Sequence, residues 1–219
     1  MFKEDETTFL ERAKRLAAEE QIYLLIGMGA VHLGVPRPLE NKAVLVNPSG
    51  EIEFSYLKSR LVPGGEARVS NPGNGRLPIS NTQYGRMAAA ICYDMDFPQL
   101  IQQVGRAEAD VLLAPANDWK TIKHLHLRMA IFRAIENGVS MIRATKSGLS
   151  GAVDAFGRTL AVTDLFSPGA QIMIAQVPFT RVRTIYARVG DLFAWFCIAS
   201  LFITIAAALL DSRKRHRGP

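Results

Sequence analysis

Met87-Ala-Ala-Ala-Ile-Cys-Tyr-Asp-Met-Asp-Phe-Pro98 changes character in its middle. Met87–Ile91 is a continuous apolar run of the length of a buried strand. Tyr93–Pro98 is a polar turn ending in a proline suited to the first turn of a helix. Cys92 stands at the joint. A side chain at the end of a rigid strand can be held exposed and well aimed, which is what a nucleophile requires. An inert buried thiol is the commoner fate of a lone cysteine. Position alone therefore leaves both readings open.

Working outward, the elements on either side are short and of mixed kind. Thr7–Gln21 has apolar or small residues at helical spacing, with Thr7 or Thr8 as a candidate cap. Ile22–Met28 reads as a buried strand closed by Gly27 and Gly29. Lys42–Val46 and Ile52–Tyr56 read as a hairpin around Asn47-Pro-Ser-Gly50. Ser59–Ile79 is rich in glycine and proline and reads as a long loop. Downstream, Pro98–Gly105 suggests a short helix, and Leu125–Asn137 a longer one ending at Gly138. Val111–Ala114, Val139–Ala144, Ser150–Val153 and Ile172–Pro178 read as further strands, with Gly157 in a turn. Buried strands with helices between them predict a layered α/β domain covered on both sheet faces. The hairpin joins exclude an all-parallel dinucleotide-binding sheet. No glycine-rich phosphate loop follows a strand, and there is no internal repeat.

Composition agrees with a folded core. The chain has 219 residues, 48% of them hydrophobic and 21% charged, which excludes wholesale disorder. Its two cysteines, Cys92 and Cys197, cannot staple a chain of this length. The net charge is +6, and Arg213, Lys214, Arg215 and Arg217 crowd the C-terminus without an interleaved aromatic, so nucleic acid is not an expected partner. The mean hydropathy of +0.09 is high because apolar residues are concentrated in one place. Leu192–Leu210 carries no charge. A helix of that length spans roughly 28 Å, about the hydrocarbon thickness of a bilayer. Residues 191–211 are therefore expected to form a transmembrane helix. Residues 212–219 follow as a basic cytoplasmic tail, which places residues 1–190 on the opposite side. The opening segment is charged and has no apolar stretch of the kind a signal peptide needs.

Other residues could carry chemistry. Lys58 ends the Phe54–Leu57 run just before Leu-Val-Pro-Gly-Gly-Glu66. Asn117-Asp118-Trp119 follows the Val111–Ala114 strand and also reads as an ordinary turn. His124 and His126 are two apart, a poor spacing for joint metal ligation on a helix, and no third ligand is near in sequence. No metal or cofactor is expected. Arg143-Ala-Thr-Lys-Ser-Gly148 is either an active-site loop or a plain strand end.

Taken in order, YLKSRLVPGGE, ICYDMDFP, APANDW and HLHLRMAIFRAIENGVSMIRATKSGLSGAVDAFGR resemble the successive motifs of the nitrilase (carbon–nitrogen hydrolase) superfamily. The Leu-Val-Pro-x-Gly-Glu loop and TIYARVGD leading into a terminal apolar helix resemble the C-terminal part of its apolipoprotein N-acyltransferase branch. The resemblance covers roughly residues 8–210. It implies a four-layer α-β-β-α sandwich over residues 1–190. It implies Cys92 as the nucleophile of a thioester acyl-enzyme, Lys58 as the oxyanion partner and Glu66 as support for the lysine or for the transferred proton. Tyr93, Asp94, Asn117 and Trp119 are implied as substrate-binding residues. The implied partners are a phospholipid acyl donor and a lipoprotein amine acceptor, at the bacterial inner membrane with the domain extracytoplasmic.

The chain departs from that pattern in three places. The strand that ends in the family's general-base glutamate has no match; Glu4, Glu6 and Glu11 follow no apolar strand. The expectation is an N-terminally incomplete domain lacking its first strand, poorly active and marginally folded. Lys120 stands where the branch usually has an aromatic, and Gly64 where it usually has phenylalanine. A membrane-tethered amidase-type hydrolase and a non-enzymatic nitrilase-fold module are the alternative readings.

Overall fold

The computed structural model describes residues 3–169 and 172–215. In chain order its elements are α1 (Lys3–Glu19), β1 (Leu24–Val31), β2 (Leu39–Val46), β3 (Ile52–Leu57), α2 (Gly65–Val69), β4 (Ile79–Thr82), β5 (Gly85–Ala89), a 3-10 turn (Cys92–Asp96), α3 (Pro98–Arg106), β6 (Val111–Leu113), β7 (Ala116–Asn117), α4 (Lys123–Asn137), β8 (Ser140–Arg143), β9 (Thr145–Lys146), β10 (Leu149–Val153), β11 (Thr159–Asp164), α5 (Ile185–Val189) and α6 (Leu192–Arg215). The strands form an antiparallel sheet β1-β2-β3, a mixed sheet β11-β10-β8-β6-β5-β4 and a short parallel pair β7-β9. Within the mixed sheet, β5, β6 and β8 run parallel.

Strand alternation sorts these elements into four layers. On β2, Val44 and Val46 turn one way and pack with Ala17 of α1 and Met28 of β1. Ala43 turns the other way and joins a larger cluster with Ala88, Leu112 and Val153 of the mixed sheet. That cluster continues through Leu100, Ile101 and Val104 of α3 and Ala130 and Ala134 of α4. The order is α1, three-stranded sheet, mixed sheet, α3 with α4. Side chains of period two on strands and about 3.6 on helices make this stacking possible. The expected sandwich is the one observed.

Four local expectations are corrected. The first helix begins before Thr7 and Thr8, so neither caps it; Glu6 in its opening turns pairs with Lys42 at 2.5 Å. The first strand passes through Gly27 and Gly29 instead of ending there. A Cβ on Gly27 would stand 2.7 Å from the Pro115 Cβ, so glycine lets this strand lie close beneath the chain leaving β6. The Ser59–Ile79 segment contains the helical turn α2. Ile172–Pro178 is not a strand: its alternating exposure is that of extended chain, but it runs across the domain without a ladder partner. Ser140 Oγ donates to Pro178 O at 2.7 Å and Val182 N to Gly138 O at 2.7 Å, which fasten this segment. The outer strand beyond Gly157 is β11.

Helix α6 opens at Leu192, and its Leu192–Leu210 stretch has a mean hydropathy of 2.4 with none of it buried against the domain. It is long and apolar enough to cross a bilayer. Residues 216–219 of the expected basic tail, including Arg217, lie outside the described residues.

Gly138 ends α4 with φ 62°, and a Cβ there would sit 1.8 Å from the Val182 carbonyl oxygen. Backbone cannot step aside as a flexible side chain can. Gly138→Ala is expected to cost about 2 kcal/mol and to lower the thermal midpoint in detergent by several degrees. Gly34→Ala, also at positive φ but with open space around it, is expected to cost clearly less.

Candidate active site

The parallel strands β5, β6 and β8 deliver their carboxyl ends to one edge of the mixed sheet, the usual place for a binding crevice in an α/β fold. Cys92 follows the first, Asn117 and Asp118 follow the second, and Arg143 ends the third. Lys58 arrives from the other sheet at the end of β3. Four separate segments thus converge on one spot.

Cys92 has φ 47°, in the left-handed region that side chains other than glycine rarely adopt. The conformation is held by its neighbours. Cys92 N donates to Pro115 O at 3.0 Å, and the thiol donates to Asn117 O at 3.7 Å. Burial pushes the thiol above its ordinary pKa, and Asp118 adds to this; the Asn117 carbonyl contact, Lys58 and Arg143 pull the other way. The net effect is a thiol held above its ordinary value.

Lys58 is 2% exposed, and its Nζ donates to Glu66 Oε2 at 2.7 Å. Val62 N reaches the same oxygen at 2.8 Å, and Asn41 Nδ2 reaches Oε1 at 2.7 Å. Burial raises the Glu66 pKa, but these three donors more than offset it, and the carboxyl sits below its ordinary value. Glu66 is therefore an ionised brace with both oxygens engaged. It is the second residue of α2, two positions after Gly64, whose φ is 92°.

The remaining expected residues divide. Trp119 is half exposed and sets its ring edge-on to His126 at 6.0 Å. Asn117 meets Cys92 through its main-chain oxygen. Tyr93 lines an adjoining open groove of roughly 430 Å³ with Arg37, Arg60, Leu61 and Phe97. Asp94 does not line a pocket. It is wholly buried, because its carboxylate accepts from Ile91 N, Tyr56 Oη and Arg60 N at 3.0, 2.8 and 2.7 Å. Its work is to tie the elbow to the end of β3.

Sequence reasoning passed over three neighbours. Asp118 reads as a turn residue, yet it is 5% exposed and ion-paired with Arg143, itself 1% exposed. One Arg143 nitrogen, Nη2, lies 3.0 Å from each Asp118 oxygen. His126 Nδ1 stands 2.9 Å from Asp118 Oδ1. A sulfur, a ring nitrogen and a carboxylate oxygen from Cys92, His126 and Asp118 all lie within 4.8 Å of one another. The histidine pair was considered only as a metal motif; the fold separates the two and brings His126 to partners 34 and 8 residues away. No local signal marks that convergence.

This is the fold of the carbon–nitrogen hydrolases. The family model described as "Carbon-nitrogen hydrolase" matches residues 2–187, and the chain belongs to that family. Among curated proteins it is similar to the apolipoprotein N-acyltransferase of Geobacter metallireducens, 28% identical over 98% of this chain and 45% of that one. It is also similar to the apolipoprotein N-acyltransferase of Chlamydia trachomatis, 28% identical over 97% of this chain and 44% of that one. The chain thus spans less than half the length of these relatives. Among solved structures, the amidase of Nesterenkonia sp. AN1 superposes with a TM-score of 0.65 at 21% identity, covering 73% of this chain and 65% of that chain. A carbon–nitrogen hydrolase from Helicobacter pylori G27 gives 0.66 at 19% identity, covering 74% and 64%. At these identities the likeness is one of fold.

Two outcomes follow from the buried Asp118–Arg143 pair. Removing one partner strands a charge, so Arg143→Met is expected to cost about 3–5 kcal/mol in urea unfolding. Burial raises the Asp118 pKa, but His126 and Arg143 outweigh it and hold the carboxyl below its ordinary value. Its contribution to stability is therefore complete above the unfolded pKa of about 3.9 and is lost as pH falls through the lower folded value. Urea midpoints measured from pH 6 down to pH 2.5 should fall less steeply at the acid end in Asp118→Asn.

Proposed function

We propose that this chain carries the catalytic domain of a membrane acyltransferase. In this reading Cys92 takes an acyl group from a phospholipid ester as a thioester. It then passes the group to the N-terminal amine of a lipoprotein. The supporting observation is the convergence of a strained, half-buried Cys92 with the braced Lys58 at the carboxyl ends of the parallel strands. The similarity to curated N-acyltransferases over nearly the whole chain favours an amine acceptor.

The chemistry runs in two halves. The Cys92 thiolate attacks the ester carbonyl, a carbon–sulfur bond forms, and negative charge moves to the carbonyl oxygen. Lys58 meets that charge, with Glu66 fixing its position; a preset cation there favours the transition state over the ground state. Collapse breaks the carbon–oxygen bond, and the leaving alkoxide takes up the proton that the thiol gave. The acceptor amine then attacks the thioester, loses a proton, and releases the thiolate. Tyr93 and Trp119 flank the approach, and the groove beside Tyr93 offers an apolar and cationic wall for a lipid ester.

Helix α6 supplies the setting. Phe193, Trp195, Phe196, Phe202 and Ile203 are all exposed on it, an apolar surface that suits lipid and not water. Placing α6 across the bacterial inner membrane, with the basic residues after it in the cytoplasm, leaves the domain on the extracytoplasmic side with both substrates in the adjoining leaflet.

The test uses the purified chain in detergent with a fluorescent phospholipid and a diacylated lipopeptide bearing a free amine. The expected result is a hydroxylamine-labile label on the protein that chases to the lipopeptide. Cys92→Ser should form no label, and Lys58→Met should label at least about 100-fold more slowly. A label that decays to free fatty acid regardless of amine would assign water as the acceptor and a hydrolase. No label under any condition would leave a fold without this chemistry.

A further inference from the structure

A second hollow, of about 170 Å³, lies away from Cys92, where α3 and α4 end against the segment 181–184 and α5. Arg106, Arg181, Arg183 and Arg188 line it, and Glu108 is its one lining carboxylate. Glu108 is already shared: Arg181 Nη2 stands 3.0 Å from one of its oxygens and Arg183 Nη2 3.4 Å from the other. Arg181 also faces Asp110 at 3.9 Å. Arg106 Nε donates to a main-chain oxygen, that of Ala187, at 3.4 Å. Arg188 makes no hydrogen bond or ion pair among the described residues. Four guanidiniums against Glu108 and Asp110 leave an excess of positive charge.

The hollow also holds an acceptor that nothing meets. Asn137 is 3% exposed, and its Nδ2 donates to Arg133 O at 2.9 Å, which fixes how the amide is turned. Its Oδ1 is buried with no partner among the described residues. A Cβ on Gly105 would stand 2.8 Å from that oxygen, so glycine keeps the space beside it open. A buried acceptor left without a donor is costly and calls for a ligand that supplies one. Arginines also favour helix C-termini, and α3 and α4 both end here. Main-chain donors already meet those ends, Glu108 N at Gly105 O and Val139 N at Ala134 O, each at 3.1 Å. That role accounts for neither the unpaired Arg188 nor the orphaned Asn137 oxygen.

The place of the hollow says what kind of anion reaches it. Arg188 stands in α5 four residues before Leu192 opens α6, so the two are at most roughly 14 Å apart along the chain. Trp195 is exposed one residue beyond the first three of α6, at the depth where indoles sit in a bilayer interface. Ile185 and Val189, four apart on α5, are exposed as well and continue the apolar surface of α6 toward the domain. With α6 across a bilayer, these arginines lie at the level of the lipid headgroups.

We propose that this hollow is a headgroup site for an anionic glycerophospholipid, its phosphate held by the arginines and a headgroup hydroxyl donating to Asn137 Oδ1. This rests on α6 lying in a bilayer and not on the chemistry of Cys92. The excess charge selects a headgroup of net negative charge, and the orphaned oxygen selects one with a donor. Phosphoglycerol has both. Phosphoethanolamine has the donor without the net charge, and phosphocholine has neither. A lipid held there anchors α5 to the membrane surface.

The experiment titrates the full chain in a neutral detergent with short-chain phosphatidylglycerol, phosphatidylethanolamine or phosphatidylcholine and counts bound lipid by native intact mass. Phosphatidylglycerol should half-saturate at a concentration at least about fivefold below phosphatidylcholine, the attraction one arginine adds near an anionic surface. Phosphatidylmethanol, which has the charge but no headgroup hydroxyl, should bind more weakly than phosphatidylglycerol. Arg106→Gln with Arg188→Gln, both at exposed positions, should abolish the preference and leave the thermal midpoint close to the parent's. Arg12→Gln with Arg15→Gln removes the same charge from exposed positions of α1 and should keep the preference. Equal retention of all the lipids by the parent, or equal losses in the two double variants, would overturn the site. Complete displacement of phosphatidylglycerol by an equal concentration of inorganic phosphate would assign the hollow to free phosphate and overturn the lipid. Flotation with phosphatidylcholine vesicles reports α6 alone and should be the same for every variant. A parent that does not float would overturn the membrane setting and the site with it.

Discussion

The Asp94 carboxylate is the tie on which the rest of the site depends. It sits between the two sheets and accepts hydrogen bonds from both: Ile91 N on the mixed-sheet side, Tyr56 Oη and Arg60 N on the other. Burying a carboxylate is costly, and here burial does raise its pKa against the opposing pull of these donors. In return one group fixes the elbow that presents Cys92 and the turn that presents Lys58. Ser59 Oγ donates to Tyr56 Oη at 3.0 Å and accepts from Gly75 N, so the tie extends into the long loop carrying Glu66. Without it, Cys92 and Lys58 would belong to two sheets joined mainly by apolar packing, which is non-directional.

Around that tie the charges are arranged in two separate pairs. Lys58 pairs with Glu66, and Arg143 with Asp118. Each pair is nearly closed to water, and the two carboxylates are met by further donors: Val62 N and Asn41 Nδ2 at Glu66, and His126 Nδ1 beside Asp118. This is the condition under which buried ions hold geometry without a large net cost. The Asp118 pair also holds His126, one ring nitrogen of which lies within 4.8 Å of the Cys92 sulfur and of an Asp118 oxygen.

The domain and α6 obey different solvents. Residues up to the end of α5 bury their apolar groups against one another, with Ala187 of α5 packed at 6% exposure beneath Gly105 of α3. A few residues later every face of the helix is apolar and uncovered. Gln102 Nε2 donates to the carbonyls of Tyr186 and Ala187 at the junction, and Gln99 Nε2 to Asp191 at 3.3 Å. These bonds fasten α5 and the residue before α6 to α3 through a short polar seam.

The sequence by itself determined a good deal. The apolar runs at Met87–Ile91 and Val111–Ala114, the helix ending at Gly138 and the uncharged Leu192–Leu210 are all local patterns of period or composition, and all appear where the pattern places them. Cys92 and Lys58 each stand at a strand end and Glu66 follows a pair of glycines, and it is the resemblance that joins them as a set. Periodicity could not tell extended chain from paired strand at Ile172–Pro178, since alternation is the same in both and only a neighbour supplies the ladder. Nor could it show that Asp94 faces inward while Tyr93 faces a groove, because a 3-10 turn directs adjacent residues in different directions. Only the tertiary structure joined His126, Asp118 and Arg143 to Cys92. These four come from four segments, and what unites them is the parallel order of β5, β6 and β8, which brings three carboxyl ends to one edge. Strand order is a long-range property of packing, and no local spacing encodes it.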